Sequence, residues 1–149
     1  MRAINTIFVH CTDRNPLTKR PFASTTELRS FHKSKGWQDI GYHYVVERDG
    51  TVMAGRDPET PGAHVAGRNH DSIGVCAIGG EDCRFTFTEE QLLAVLRLLV
   101  ELCARYNIPT ERVLGHREVD RRKACPVMDP EEIRAALRFL RRGTAPACG

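Results

Sequence analysis

The segment from Ile4 to Cys11, INTIFVHC, sets β-branched and aromatic residues side by side with little polar interruption. That is the pattern of a strand buried in a sheet. A second such run spans Ser72 to Ile78 and closes on Gly79-Gly80, and a short third one, Arg112 to Gly115, leads into His116. Helical stretches with clear start signals separate them. Ser24-Thr25-Thr26-Glu27 has the form of a capping box and opens a helix carrying Leu28, Phe31 and His32, which Gly36 stops. His32 is expected on the surface of that helix. Thr88 with Gln91 opens a long helix to about Tyr106, on which Arg97, Glu101 and Arg105 form a single polar stripe. Its apolar positions cover most of the circumference, so it is expected to be packed on most sides. Asp129-Pro130-Glu131-Glu132 caps a last helix running through Arg142. GYHYVVERDGTVMAGR contains two β-rich runs joined by Asp49-Gly50, a hairpin signal. Strands interleaved with helices imply an α/β fold, with a single mixed β-sheet flanked by helices.

A chain of 149 residues is long enough to bury one substantial core. The expected division is one domain over residues 1–142 and a loose tail over 143–149. The net charge of +3 suits an anionic partner such as a cell wall but falls short of a nucleic-acid footprint, so no nucleic-acid partner is expected. No stretch reaches the ~18 apolar residues of a membrane span, and stable membrane insertion is not expected. MRAINTIFVHCTD does not have the form of a signal peptide. Synthesis in the cytoplasm is expected, with any target outside the membrane reached after release. The six cysteines, at 11, 76, 83, 103, 125 and 148, show no regular spacing, and several lie in apolar runs. They are read as free thiols, mostly buried, with Cys125 set apart for the chemistry below.

His10 closes a buried strand, His116 follows a short one, and Cys125 lies in KACP. Two imidazoles and a thiolate match a catalytic zinc site, which takes three protein ligands and leaves one position open. Cys11 is excluded from a site built on His10, because neighbours on a strand point to opposite faces. By spacing alone, a histidine at a strand end is more often a packed or hydrogen-bonded residue, so this reading needs further support. Pro58 to Asp71 is rich in Pro, Gly, His and Asn and reads as a long loop of the kind that often carries function. On the last helix Arg134, Arg138, Arg141 and Arg142 read as a solvated basic face, or alternatively as a contact for anionic wall polymers or lipid headgroups.

Four blocks, IFVHC, GWQDIGYHYVVERDGTVMAGRD, HVAGRNHDSIGVCAIGG and GHREVDRRKACP, resemble in order the type-two N-acetylmuramoyl-L-alanine amidases, the superfamily that includes the peptidoglycan recognition proteins of animals. The likeness runs from about Ile7 to Asp129 and implies a peptidoglycan recognition protein-like amidase fold. It implies Zn²⁺ held by His10, His116 and Cys125, with Tyr42 at the family's catalytic tyrosine and Lys123 at the catalytic lysine of its phage members. HVAGRNHDSIG corresponds to a wall of the substrate groove, so His64 and Asn69 are candidate substrate contacts, and Trp37 is a third. His43 is expected to face away from Tyr42 and to pack in the core. The implied function is hydrolysis of the amide between N-acetylmuramic acid and L-alanine in bacterial peptidoglycan, by a monomer acting as a phage or prophage endolysin. A bacterial wall-recycling amidase and a non-catalytic peptidoglycan-binding module are the alternatives. A third, inhibition of phage RNA polymerase, is disfavoured because part of that contact in phage relatives involves an extension ahead of the IFVH strand.

Overall fold

The computed structural model describes residues 1–80 and 87–143. Five strands form one mixed sheet: β1 (Thr6–Cys11), β2 (Tyr44–Val46), β3 (Val52–Ala54), β4 (Ser72–Ala77) and β5 (Val113–Gly115), in the order β3-β2-β4-β1-β5. β1 pairs in parallel with both β4 and β5, β2 is parallel to β4, and only the hairpin β2-β3 is antiparallel. Four helices accompany the sheet: α1 (Thr25–Ser34), α2 (Glu89–Tyr106), the single turn α3 (His116–Val119) and α4 (Pro130–Gly143). The expected α/β class, hairpin and helices are all present. The tail over 144–149, Cys148 and Cys83 lie outside the described residues. Among the described residues no helix is long and apolar enough to cross a membrane.

β1 and β4 are buried along their whole length, and the two-residue period of a strand divides their side chains between two different environments. Ile7, Val9, Ile73, Val75 and Ala77 join Val95, Leu99 and Leu102 of α2 and Leu137 of α4 in the larger core. A smaller core holds Phe22, Leu28 of α1, Ile40, Val45 and Ile78. α2 is packed on one side rather than on most, since Leu92 and Leu93 are exposed. Its apolar content exceeds the area that the sheet and α4 can cover.

The helix caps follow the sequence with one shift. Thr88 and Gln91 make the reciprocal pair expected for a capping box. At α1, Ser24 accepts the amide of Glu27, but the Glu27 carboxylate reaches back to the amide of Ala23 rather than Ser24. Of the four basic residues of α4, Arg142 is exposed as expected, but the other three have partners. Arg134 forms ion pairs with Glu118 and Glu131, Arg138 pairs with Glu131, and Arg141 donates to the Ile108 carbonyl and to Thr110. Acidic partners from α3 and from the first turn of α4 itself take up the charge that the sequence pattern left unassigned.

Gln91 is fully buried, and its side-chain amide donates to the carbonyls of Val46 and Ile78 at 3.0 and 2.8 Å. It thereby ties the start of α2 to β2 and to the end of β4. Replacing it with Ala removes both bonds, leaves the Val46 carbonyl with the Ile78 amide alone, takes the side-chain donor from the Ile78 carbonyl, and removes half of the capping box. Gln91→Ala is expected to lower unfolding free energy by on the order of 2–3 kcal/mol in urea titration, with the fold otherwise unchanged.

Candidate metal centre and active site

Strand register alone brings the first two candidate ligands together. Val9 of β1 lies opposite Gly115 of β5, so the next residues in each chain, His10 and His116, emerge side by side at the carboxyl ends of parallel strands. Their ring centroids are 4.9 Å apart. Gly115 is required by packing: a Cβ there would meet Pro130 at 2.7 Å and Pro126 at 2.9 Å. That close approach presses the Cys125 segment against the strand ends. Arg117 donates its amide to the Cys125 carbonyl at 2.9 Å and locks the segment to α3.

The ligand atoms of His10, His116 and Cys125 lie within 4.8 Å of one another. The Cys125 sulfur sits 3.6 Å from His10 Nδ1 and accepts the Cys11 amide at 3.1 Å. Burial, followed by the neighbouring His64 and His116, pushes the His10 imidazole well below its ordinary value. His116 is lowered as well, by burial and then by the charge of Lys123. Both rings are therefore neutral at pH 7 and carry the lone pair a metal needs. Two neutral imidazoles and one cysteine sulfur, with no fourth ligand in the group among the described residues, fit a zinc ion with an open position. That open side faces a cavity of about 520 Å³, whose lining includes His32, Lys35, Trp37, Tyr42, His64 and Lys123.

The other expected residues fall around this cavity in different ways. Tyr42 stacks against His10 with centroids 5.0 Å apart, and burial raises its phenol well above the ordinary value, so it stays protonated. Its hydroxyl partner is the Cys76 thiol. Lys123 is exposed on the cavity rim. Trp37 is half-buried, lies 4.7 Å from the His32 ring and carries the Lys35 ammonium 4.0 Å from its own centroid. Asn69 borders an adjoining cleft, but its side-chain oxygen accepts the amides of His64 and Val65, both at 2.9 Å. Its clearest task is holding the loop. His64 is buried against His10, with Nδ1 2.9 Å from His10 Nε2. His43 is buried as expected, accepting the Gly74 amide and contacting the Thr60 carbonyl, although it precedes β2 rather than lying within it. Cys11 stays outside the ligand group, though its thiol hydrogen-bonds Cys125.

His32 corrects the expectation of a surface residue. It is 6% exposed, accepts the Gly41 amide at 3.0 Å through Nδ1 and packs between Trp37 and Tyr42. Its helical position carried no sign of this, because the covering residues come from the segment after the helix.

The family model for N-acetylmuramoyl-L-alanine amidase matches residues 1–127. The chain belongs to the N-acetylmuramoyl-L-alanine amidase family. The endolysin of Escherichia phage T7 is 44% identical over 127 residues, spanning 83% of this chain and 80% of that protein. Peptidoglycan-recognition protein LB of Drosophila melanogaster is 34% identical over 106 residues, 69% of this chain and 44% of that one. Among solved structures, the N-acetylmuramoyl-L-alanine amidase LysC from Clostridium intestinale superposes with a TM-score of 0.79 at 27% identity, over 92% of this amidase and 87% of that chain.

Burial lowers the imidazoles of His32 and His43 to about 4 each. For His32, Lys35 and Arg56 add to the effect and Asp39 opposes it. Since the folded values lie below the unfolded ~6.5, unfolding takes up protons between these limits. Stability of the metal-free amidase is expected to fall as pH drops from about 6.5 to about 4, by at most ~1.4 kcal/mol per pH unit for each histidine. His32→Asn keeps an acceptor for the Gly41 amide, and urea titrations from pH 7 to pH 4.5 should show a shallower loss. An unchanged slope would exclude His32 as a source of the acid sensitivity.

Proposed function

We propose that this chain is a zinc-dependent amidase that cuts between N-acetylmuramic acid and L-alanine in bacterial peptidoglycan and acts as a phage endolysin, reaching the wall after release from the cell interior. The observation that carries the reading is the His10–His116–Cys125 group at the floor of an open cavity, in a chain whose relatives include the phage T7 endolysin.

In this reading His10, His116 and Cys125 hold the zinc, which supplies Lewis acidity toward the scissile carbonyl and toward water. The Cys11 amide, donating to the Cys125 sulfur, fixes the direction in which that sulfur points. Attack on the amide carbonyl places negative charge on its oxygen, and donors arranged beforehand stabilise that charge. Lys123 brings a cation to the rim beside His116. Tyr42 brings a protonated hydroxyl whose partner, the Cys76 thiol, is a weak acceptor that a substrate oxygen displaces at little cost. Trp37 offers an apolar wall for the sugar or the stem peptide. His64 and Asn69 shape the loop that closes the opposite side.

Digestion of purified peptidoglycan followed by mass spectrometry tests the reaction. Zinc-loaded wild-type protein is expected to release stem peptides with a new L-alanine amino terminus, and Cys125→Ser to release none. Intact muropeptides after wild-type treatment, with binding to the wall retained, would make the chain a recognition module. Tyr42→Phe and Lys123→Ala are expected to lower kcat by about 10²- to 10³-fold each, with zinc content unchanged. Wild-type kcat in either variant removes that residue from the mechanism.

A further inference from the structure

His10 has two ring nitrogens, and only one can face the metal position. Nδ1 lies 3.6 Å from the Cys125 sulfur, while Nε2 lies 2.9 Å from Nδ1 of His64. Two neutral imidazoles sharing one contact leave two arrangements open: either His10 donates its proton to His64, or the reverse. The remainder of the chain of contacts decides between them. Nε2 of His64 faces the Ser72 hydroxyl at 3.4 Å, and that hydroxyl lies 2.6 Å from the backbone carbonyl of Arg68. A carbonyl can only accept, so Ser72 spends its single proton on Arg68. Its oxygen is then left to accept from His64 Nε2–H. With its proton on Nε2, His64 offers a bare Nδ1, which accepts from His10 Nε2–H. His10 Nδ1 is thereby left with a free lone pair, on the side of Cys125.

We propose that His64 and Ser72 are positioning residues that set the tautomer of His10, turning an unprotonated Nδ1 toward the metal position. The polarity of the relay originates at the Arg68 carbonyl, inside the loop between β3 and β4, and is passed inward through two side chains. Partners of this kind both orient a ligand histidine and raise its basicity. The slot for the His64 ring is built by two glycines. A Cβ on Gly62 would stand 2.5 Å from His64 Cδ2, and one on Gly74 would meet three ring atoms at 2.8 to 3.0 Å. Neither glycine has a positive φ in that slot, so the absence of a side chain, rather than backbone conformation, is what the ring requires. This assignment goes beyond the placement of His64 on the substrate groove, and it rests on the zinc reading above.

The test uses the full chain and two readouts besides activity. In long-range ¹H–¹⁵N spectra of the metal-free wild-type protein, the proton of His10 and that of His64 are both expected on Nε2. A proton on Nδ1 of His10 overturns the proposal. Zinc affinity, measured by competition with a chromophoric chelator, is expected to fall 10- to 100-fold in His64→Leu. His64→Asn, whose side-chain oxygen can accept from the same place, should stay within roughly threefold of wild type. Gly74→Ala should weaken zinc binding in the wild-type background and add no further loss in His64→Leu, because its only route to the metal is the displaced ring. His64→Leu that binds as tightly as wild type overturns the proposal alone, while wild-type protein that binds no zinc overturns it together with the metal reading.

Discussion

The parallel pairing of β1 with both β4 and β5 decides where chemistry can take place in this molecule. Parallel neighbours end at the same edge of the sheet, so the segments that leave them converge, and ligand sites in such sheets lie outside the carboxyl ends of the strands. Here His10, the second-last residue of β1, and His116, the residue after β5, meet at that edge, brought into contact by the Val9–Gly115 register. A slip of one residue in that pairing would send His10 to the other face and replace it with Cys11 or Val9. The burial of Ile7, Val9, Ile73 and Val75 against α2 therefore does more than stabilise the fold. By occupying the odd-numbered positions of β1 it holds Phe8 and His10 on the face where the loop and Tyr42 meet them.

The loop over 58–71 covers that face and is attached through polar contacts as well as through the buried Val65. Arg2 donates to the carbonyls of Pro58, Asn69, His70 and Ser72. One guanidinium thus satisfies acceptors from both ends of the loop. Asn69 closes the interior by accepting two amides, and Phe8 packs beneath the Arg68 guanidinium. On the opposite wall Arg134 joins α4 to Glu118 of α3, whose carboxylate also accepts the Gly115 amide at 2.8 Å. Burial raises that carboxyl, but bonds from Arg134 and Gly115 outweigh it and hold Glu118 below the usual range. The loop over 58–71 and the turn that carries His116 are thus each fastened by a network with its own arginine.

Much of this was legible from residues whose local pattern and tertiary role coincide. The strand at INTIFVHC, the Asp49-Gly50 hairpin and the Thr88–Gln91 box each carry their signal within a few residues, and the structure forms them there. The ligand trio was less legible. His10 lies more than a hundred residues from His116 and Cys125, and although the residue types made the three candidates, it was the resemblance to the amidase family that singled them out. His32, Arg134 and Arg2 show what local pattern misses. A helical histidine followed by Gly36-Trp37 gives no sign that the chain folds back over it. A row of arginines on a terminal helix looks solvated until the acidic partners of α3 are in place. Arg2 sits in a segment with no pattern of its own, yet it serves the loop more than fifty residues away.

The chemistry of the site follows from how unequally it is exposed. His10 is buried to 1%, whereas His116 and Cys125 are half-buried and Lys123 is exposed. A metal held by this set has its back to the sheet and its open side to the cavity, so a substrate can approach from one direction only. On the buried side, the rings of Tyr42 and His64 lie against His10, each with its centroid 5.0 Å away. An imidazole placed there cannot be oriented by a carboxylate without carrying an uncompensated charge into the core, which is costly. A relay of neutral groups, His64 to Ser72 to a backbone carbonyl, directs the ring without that penalty. Lys123 stands at the exposed rim of the cavity, so in the proposed mechanism its charge is solvated by water until substrate arrives.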